Sequence, residues 1–470
     1  MKTKFLIPFL ILLAGCATFH REDLSPSQTA SEFESRTLSG AELKKYLEQN
    51  LHKEIAPWPP EHWDFAMLEL AALYYHPDMD VARARWGVAE AGVITAGARP
   101  NPAISLLGQH HSDTPGGVSV WTWGSSLDIP LETAGKRGYR IRKAEHLSEA
   151  ARLNVATIEW KIRSRLRRNL LALYSSSERE RLLKDELAIG RAIAGIFDCR
   201  LAAGESSGFE AMRSRVDLEK TSLLLSESRK KKAESRVSLA GAIGLPVDAL
   251  NGITLSFGLF ERQPEAVDPG EARKRALLGR PDIGAALAEY EAAQSALQLE
   301  IARQYPDIHI GPGYEWDQGD NKWSLGISLE LPVLNRNEGP IKEASARRKE
   351  AAAKFRALQA SVIGEIDTAR ASYREALKKL KTADSLVATE EDRMRMITKR
   401  FDSGDTDLLD LDLAKLDLSA AGLSRFDALV SAQEELGRLE DALQAPLERE
   451  AGFSEDGMTD KKPDTKGVRQ

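Results

Sequence analysis

The sequence predicts a mainly α protein with a small β part, built from two copies of a helix-strand-strand-helix-helix unit. Three observations predict this fold: a long-range repetition, short stretches in which apolar and polar residues alternate, and long runs of helix-forming residues. Pro77 and Pro281 are 204 positions apart, and so are Pro102 and Pro306. A period near 200 residues exceeds the ~20 to 50 residues of solenoid repeats, so it indicates a duplicated domain half.

The composition is that of a globular protein, and the sequence has no recognisable active-site motif. The chain has 470 residues, of which 42% are hydrophobic and 29% charged, and its net charge of -6 argues against a nucleic-acid-binding surface. His110 and His111 form the only adjacent histidine pair and lack cysteine or carboxylate neighbours at zinc-like spacing. No phosphate loop, nucleophile elbow or acid-base pair stands out. We therefore expect neither enzyme activity, nor a metal site, nor any cofactor besides a covalent lipid.

The N-terminus has the features of an export signal. Lys2 and Lys4 precede an apolar run, which ends in Leu-Ala-Gly-Cys at residues 13–16 and resembles a bacterial lipobox. This resemblance implies a lipid on Cys16 and, because Ala17 rather than aspartate follows, sorting to the outer membrane. The alternative is an ordinary signal with an incidental cysteine. Cys199 would then be the only thiol of a lipidated chain outside the anchor, and we expect it to be a packed helix residue.

Two hairpins are predicted, at about residues 102–131 and 306–333. In the second, apolar residues from Ile308 to Trp316 and from Trp323 to Leu331 alternate with polar or small ones. Strands of ~10 residues with one apolar face suit a barrel in an outer membrane, although a soluble sheet packed on helices would show the same alternation. A girdle of aromatic residues is predicted near the turns, formed by Trp121, Trp123, Tyr314, Trp316 and Trp323.

The mature chain has no apolar run of the ~18 residues that a spanning helix needs, so any membrane crossing must use strands. Four strands cannot close a membrane barrel, since the smallest have about eight. Two copies of the chain would supply eight strands and three would supply twelve. Only the larger number leaves a channel of useful width.

Two very long helices are predicted, at about Thr133 to Ala203 and Glu338 to Ser403. Each would be ~100 Å long at ~1.5 Å per residue. Gly204 and Gly404 follow them as C-terminal caps, and each turn starts a returning helix. In the second returning helix, a coiled-coil seam is predicted at Leu409, Leu413, Leu416, Ala420 and Leu423. Prolines are predicted at the junctions of helices and strands, namely Pro102, Pro130, Pro306 and Pro332.

These patterns divide the chain into six parts. In order they are a signal peptide (1–15), a lipid anchor and N-terminal wrap (16–60), a first repeat (61–245), an equatorial linker (246–269), a second repeat (270–449) and a disordered tail (450–470). The tip turns of the two repeats are predicted at about residues 200–207 and 400–407.

The segment from Arg400 to Ala414, with its arginine, aromatic residue, glycine and following apolar and acidic residues, resembles the periplasmic-tip motif of the TolC family of outer-membrane efflux ducts. The resemblance covers roughly Trp63 to Leu447. Residues 131–137 and 332–339 are similar to the branch that serves heavy-metal (cobalt-zinc-cadmium) exporters of the RND type.

The resemblance implies a lipid-anchored homotrimer in the outer membrane. Its twelve strands would form one transmembrane β-barrel and its long helices a coiled-coil α-barrel across the periplasm. A periplasmic adaptor and an inner-membrane pump, which is of the RND type in the family's heavy-metal branch, would deliver the substrate to this passive duct. Two alternatives stay open: an exit duct for type I secretion, and a periplasmic coiled-coil adaptor without a pore.

The resemblance also implies roles at the tip. Asp410 falls on an acidic position of the family's cation-sensitive constriction, and Glu210 is its counterpart in the first repeat. Leu413 stands where a second acidic residue occurs in the family, so a double ring is not expected. The alternative role of Asp410 and Glu210 is that of ordinary acids at helix N-termini. The expected adaptor-docking residues, which simple turn chemistry would also explain, are Arg200, Gly204, Arg400 and Gly404.

Overall fold

The computed structural model describes residues 18–264 and 269–447. The predicted signal peptide, the lipid attachment at Cys16 and the predicted tail from residue 450 lie outside the described residues. Within the described ranges, none of the helices combines the length and the apolar character that a membrane crossing requires.

The N-terminal segment and the first repeat follow one another without a break. The segment before the repeat contains α1 (Pro26–Glu34), α2 (Ala41–Leu51) and the short strand β1 (His62–Trp63). The first repeat contains α3 (Phe65–Tyr75), α4 (Pro77–Gly97), β2 (Ala103–His110), β3 (Trp121–Leu131), α5 (Lys136–Ala203) and α6 (Gly208–Ile243).

The second repeat has the same order of elements. A linker containing a 3-10 turn (Val247–Leu250), β4 (Thr254–Leu255) and α7 (Gly258–Glu261) leads to α8 (Pro269–Gly279), α9 (Pro281–Ala302), β5 (Ile308–Asp317), β6 (Asp320–Leu329), α10 (Glu338–Asp402) and α11 (Leu408–Leu443). Helices α5 and α10 have 68 and 65 residues, whereas α6 and α11 have 36 each. The predicted duplication is therefore visible element by element.

The four long strands form one antiparallel sheet in the order β2-β3-β5-β6. The ladder between β3 and β5 is interrupted between the pairs Ser126 with Gly313 and Ile129 with Ile310. The interruption falls at Pro312, which has no N–H to donate. Pro102 and Pro306 precede strands and Pro332 follows one, but Pro130 is the penultimate residue of β3 and not a junction residue as predicted.

The long helices pair as two hairpins, α5 with α6 and α10 with α11, and α11 also packs against α5. This contact, the packing of α9 against α5 and the pairing of β3 with β5 join the two repeats into one body. The predicted coiled-coil seam on α11 is wrong in part, because Leu413 and Ala420 are exposed whereas Leu411 and Ala414 are buried. A helix that packs against two neighbours at once buries more than one stripe, so a single heptad seam cannot describe it.

The main hydrophobic core lies at the middle of the long helices. There the N-terminal segment and α3 pack on α5 and α6, with Trp63, Leu68, Leu166 and Leu239 almost fully buried. The linker contributes Phe260 to the same core. The N-terminal segment is therefore held against the helical hairpins by apolar packing, at the place where the linker joins the repeats.

A buried polar cluster fastens α11 to α5. The guanidinium of Arg167 donates to the backbone and side-chain oxygens of Gln433, at 2.9 and 3.0 Å, and its Nε lies 3.2 Å from the Glu440 carboxylate. All three side chains are buried. A Cβ at Gly437 would lie 2.5 Å from Nη1 of Arg167, so the absence of a side chain at this position makes room for the guanidinium.

In each repeat, the returning helix ends next to the start of the helix that leads into the β-hairpin, which is α4 in the first repeat and α9 in the second. Helix α6 ends at Ile243 and α4 begins at Pro77, and Arg36 joins the two ends by donating to the carbonyls of Tyr75 and Gly244. In the second repeat, Arg280 performs the equivalent task by donating to the carbonyl of Ala442, at 2.6 Å. We call each of these end-to-end contacts a splice.

Candidate functional site

One face of the four-stranded sheet is apolar and uncovered. Because the pairing is antiparallel, alternate residues of neighbouring strands share a face, and the register places Ile310 opposite Ile327 and Pro312 opposite Leu325. Leu325 and Ile327 are 69% and 67% exposed. A continuous apolar face of this extent marks a surface that meets lipid or protein rather than water.

The five predicted girdle residues share this face and lie near the hairpin turns. Trp123 is opposite Trp316 and Tyr314 is opposite Trp323. The rings of Trp121 and Trp123 stack at 5.5 Å, and those of Tyr314 and Trp323 approach to 4.8 Å. Aromatic rings at one end of an apolar face are typical of a membrane–water boundary.

The opposite face of the sheet is polar and rich in small residues. Nδ1 of His309 lies 2.9 Å from the Asp128 carboxylate, and Asp317 accepts from Thr122 and from Lys322, both at 2.5 Å. Further along the same face, glycines alternate with these polar residues, at Gly124, Gly311, Gly313 and Gly326. A sheet with one lipid-compatible face and one water-compatible face suits the wall of a water-filled barrel.

The far ends of the helical hairpins carry the two tip turns, which have the same hydrogen bonds. The N–H of Glu205 donates to the carbonyl of Arg200, and the N–H of Asp405 to that of Arg400, both at 2.8 Å. Gly204 and Gly404 adopt φ values of +79° and +80°, which only glycine takes at little cost. Turn chemistry is thus a sufficient reason for glycine at these two positions.

Acidic residues begin both returning helices. Ser207 caps α6, and Glu210 completes a capping box by accepting from the backbone N–H and the hydroxyl of Ser207 at 2.9 Å. These hydrogen bonds, the backbone one first, hold the pKa of Glu210 below its usual value. In the second repeat, Asp407 caps α11 by accepting from the backbone N–H of Asp410 at 3.1 Å. That bond and then the hydrogen bond from Arg200 lower the pKa of Asp407.

The two tip turns are joined by an ion pair that sequence reasoning missed. Nη2 of Arg200 lies 2.6 Å from the Asp407 carboxylate, so the first hairpin is linked to the second. Arg400 has a different role, because it donates to the carbonyl of Asp405 in its own turn. An acid three residues before Asp410 is a helix-capping pattern, so the sequence could have identified Asp407 as an N-cap. Nothing in the sequence pointed to Arg200 as its partner.

Asp410 and Glu210 differ in the hydrogen bonds that their carboxylates accept. The exposed carboxylate of Asp410 accepts from the hydroxyl of Thr406, whereas the Glu210 carboxylate accepts three hydrogen bonds, two from Ser207 and one from the hydroxyl of Ser206. Asp412 is buried and pairs with Lys415 at 2.8 Å. Of the acids at the start of the returning helices, Asp410 is therefore the one with the least committed side chain.

Two further observations concern metal-ligating residue types. Among the described residues, no three histidine, cysteine or carboxylate side chains come together as a metal site would require, and His110 packs its ring against Trp121 at 4.7 Å. The prediction that Cys199 is a packed residue is wrong, since this thiol is exposed near the end of α5.

Sequence comparison relates the chain to known export proteins. The family model described as outer membrane efflux protein matches residues 71–245 and 272–444, which together are most of the chain. The cobalt-zinc-cadmium resistance protein CzcC of Cupriavidus metallidurans is 28% identical over 254 residues, which are 54% of this chain and 59% of that relative. The chain thus spans less than two thirds of CzcC. The pyoverdine export outer membrane protein OpmQ of Pseudomonas aeruginosa is 25% identical, over 71% of this chain and 74% of that protein.

The fold also matches solved structures. The outer-membrane channel OprN superposes with a TM-score of 0.66 at 18% identity, covering 91% of this chain and 98% of that one. VceC of Vibrio cholerae superposes with a TM-score of 0.64 at 20% identity, covering 82% and 97%. The predicted TolC-like fold class is confirmed by these superpositions, and the outer-membrane location agrees with the family match. The chain belongs to the outer membrane efflux protein family.

Proposed function

We propose that this chain is the outer-membrane exit duct of a tripartite efflux system, anchored by a lipid on Cys16. The observation that carries the proposal is the two-faced sheet joined directly to helices of ~100 Å. The sheet suits a bilayer, and helices of this length suit the width of a periplasm. The duct conducts its substrate passively and catalyses no reaction.

The duct is a homotrimer. Within the described residues, the four-stranded sheet leaves β2 and β6 as its two edges, and open edges do not occur in the hydrocarbon of a membrane. Pairing β6 of one copy with β2 of the next closes a ring, and three copies give twelve strands. A pore-free periplasmic adaptor is disfavoured, because it has no use for an exposed apolar sheet.

Heavy-metal cations are the proposed substrates. The name of CzcC, cobalt-zinc-cadmium resistance protein, supports this class, whereas the name of OpmQ points to pyoverdine. An inner-membrane pump of the RND type and a periplasmic adaptor are the proposed partners. The same duct architecture would serve type I secretion, in which the pump rather than the duct selects the cargo.

The proposed gate is a ring of Asp410 side chains at the tip, with Glu210 in a lesser role because its carboxylate is held in a capping box. Like charges gathered around a threefold axis attract cations. The tip turns, with Arg200, Gly204, Arg400 and Gly404, are the proposed docking surface for the adaptor. The ion pair of Arg200 with Asp407 holds the tips of the two repeats together.

The function is tested with the purified lipoprotein in planar bilayers and in cells. We expect trimers that form discrete conducting channels, and we expect deletion of the gene to sensitise its host to divalent metal ions. A trimer that inserts and conducts in a host whose metal tolerance is unchanged would overturn the substrate class alone. A protein that neither inserts nor conducts would overturn the duct itself.

A further inference from the structure

A crevice opens on the apolar face of the sheet, where the strands meet the helices. It has a volume of about 590 Å³, within the ~300 to 1,000 Å³ range of small-molecule sites. It is lined by the segment before β5, the segment after β3 and the end of β6, namely Tyr305, Pro306, Thr133, Ala134, Ile327 and Leu329. It is continuous with the lipid-facing side of the sheet, because Leu329 pairs with Ile308 and Ile327 with Ile310.

The lining offers almost nothing to a polar ligand. The hydroxyl of Thr133 already donates to the carbonyl of Pro306 at 2.6 Å, and the backbone N–H of Thr133 donates to Asp307 at 2.9 Å. Asp307 in turn pairs with the buried Lys136 at 2.7 Å. The polar groups at the base of the sheet are therefore paired with one another, and the crevice presents carbon atoms.

A cation lies on the helical side of this crevice, within the first two turns of α5. Gly135 follows Ala134, and the ring of Tyr139 lies 3.6 Å from the place that a Cβ on Gly135 would occupy. The guanidinium of Arg142 lies 4.6 Å from the centroid of that ring. Arg142 is exposed, and it forms no ion pair with a carboxylate of the described residues. An apolar crevice with an available cation beside it has the charge pattern of an anionic lipid site.

We propose that this crevice binds an anionic phospholipid of the periplasmic leaflet, with an acyl chain against Ile327 and Leu329 and the phosphate attracted by Arg142. The inference rests on the proposed function, since it requires the apolar face to lie in the membrane. The acyl chains on Cys16 are the competing occupant. They carry no phosphate, so they would make no use of Arg142.

The test counts phospholipids that remain bound to delipidated trimers, by native mass spectrometry, and titrates phosphatidylglycerol and phosphatidylcholine back. Ile327→Trp fills the crevice. Leu325→Trp is the matched control, because Leu325 lies on the same strand and face but outside the crevice. Arg142→Gln removes the cation, and Arg142→Lys keeps the charge at the same exposed position.

We expect up to three phosphatidylglycerol molecules per trimer, retained by Leu325→Trp and lost by Ile327→Trp. Arg142→Gln should weaken phosphatidylglycerol binding about fivefold while Arg142→Lys does not. Equal loss in the two tryptophan variants, or equal binding of both lipids to the wild type, would refute the site. A Cys16→Ser variant that binds more phospholipid than the wild type would assign the crevice to the protein's own lipid. If any of these refuting results is obtained with trimers that still conduct normally, the lipid site is wrong and the proposed duct stands.

Discussion

Substitution of Gly437 by alanine should destabilise the protein although alanine favours helices. The added Cβ would lie 2.5 Å from Nη1 of Arg167, closer than real Cβ contacts allow, so the guanidinium must move. It is held by Gln433 and Glu440, which are themselves buried. A buried partner left unsatisfied costs ~1–3 kcal/mol, and a broken buried ion pair costs ~3–5 kcal/mol. Even the lowest cost of breaking the ion pair, ~3 kcal/mol, exceeds the gain in helix propensity of ~1 kcal/mol and leaves a net loss of about 2 kcal/mol or more.

The assay is thermal unfolding in detergent, followed by far-ultraviolet circular dichroism, with Gly422→Ala as the matched control. Gly422 lies on the same helix, and a Cβ there would meet no atom within 4 Å. Its replacement should therefore stabilise the helix by up to ~1 kcal/mol. The two variants should shift the melting temperature in opposite directions. A Gly437→Ala variant that melts at or above the wild-type temperature would show that Arg167 does not fasten α11 to α5 as described.

Three further predictions concern the tip and the helices. Asp410→Asn should lower cation selectivity and divalent block severalfold in planar bilayers, and unchanged selectivity would remove Asp410 from the gate. Gly404→Leu, at φ +80°, should cost ~1–2 kcal/mol locally and abolish efflux while trimers persist on native gels; loss of the trimers would make the turn purely structural. Hydrogen bonds from Lys184 and then Lys232 lower the pKa of Glu180 from 4.5 to about 2. The stability that Glu180 contributes is therefore present above pH 4.5 and lost as the pH falls towards 2. Glu180→Gln should make the melting temperature depend less steeply on pH in that window. An unchanged pH dependence would contradict the role of Glu180.

The elements that sequence reasoning predicted well are those with a strong local period. The alternation from Ile308 to Trp316 fixes which residues share a face, and the pairing of Tyr314 with Trp323 follows from a turn of two residues between β5 and β6. Tertiary relations had no such local signal. The Arg200–Asp407 pair joins residues 207 positions apart, and the burial of Leu411 instead of Leu413 depends on the simultaneous contact of α11 with two helices.

The splices have a mechanical consequence. A continuous helix resists twisting through its chain of backbone hydrogen bonds, whereas the contacts of Arg36 and Arg280 join the ends of separate helices through side chains. Helices α5 and α10 run on unbroken, so each repeat combines one continuous long helix with two helices that meet end to end. At a splice, the returning helix can therefore rotate relative to the helix that it meets without breaking a backbone hydrogen bond of either helix.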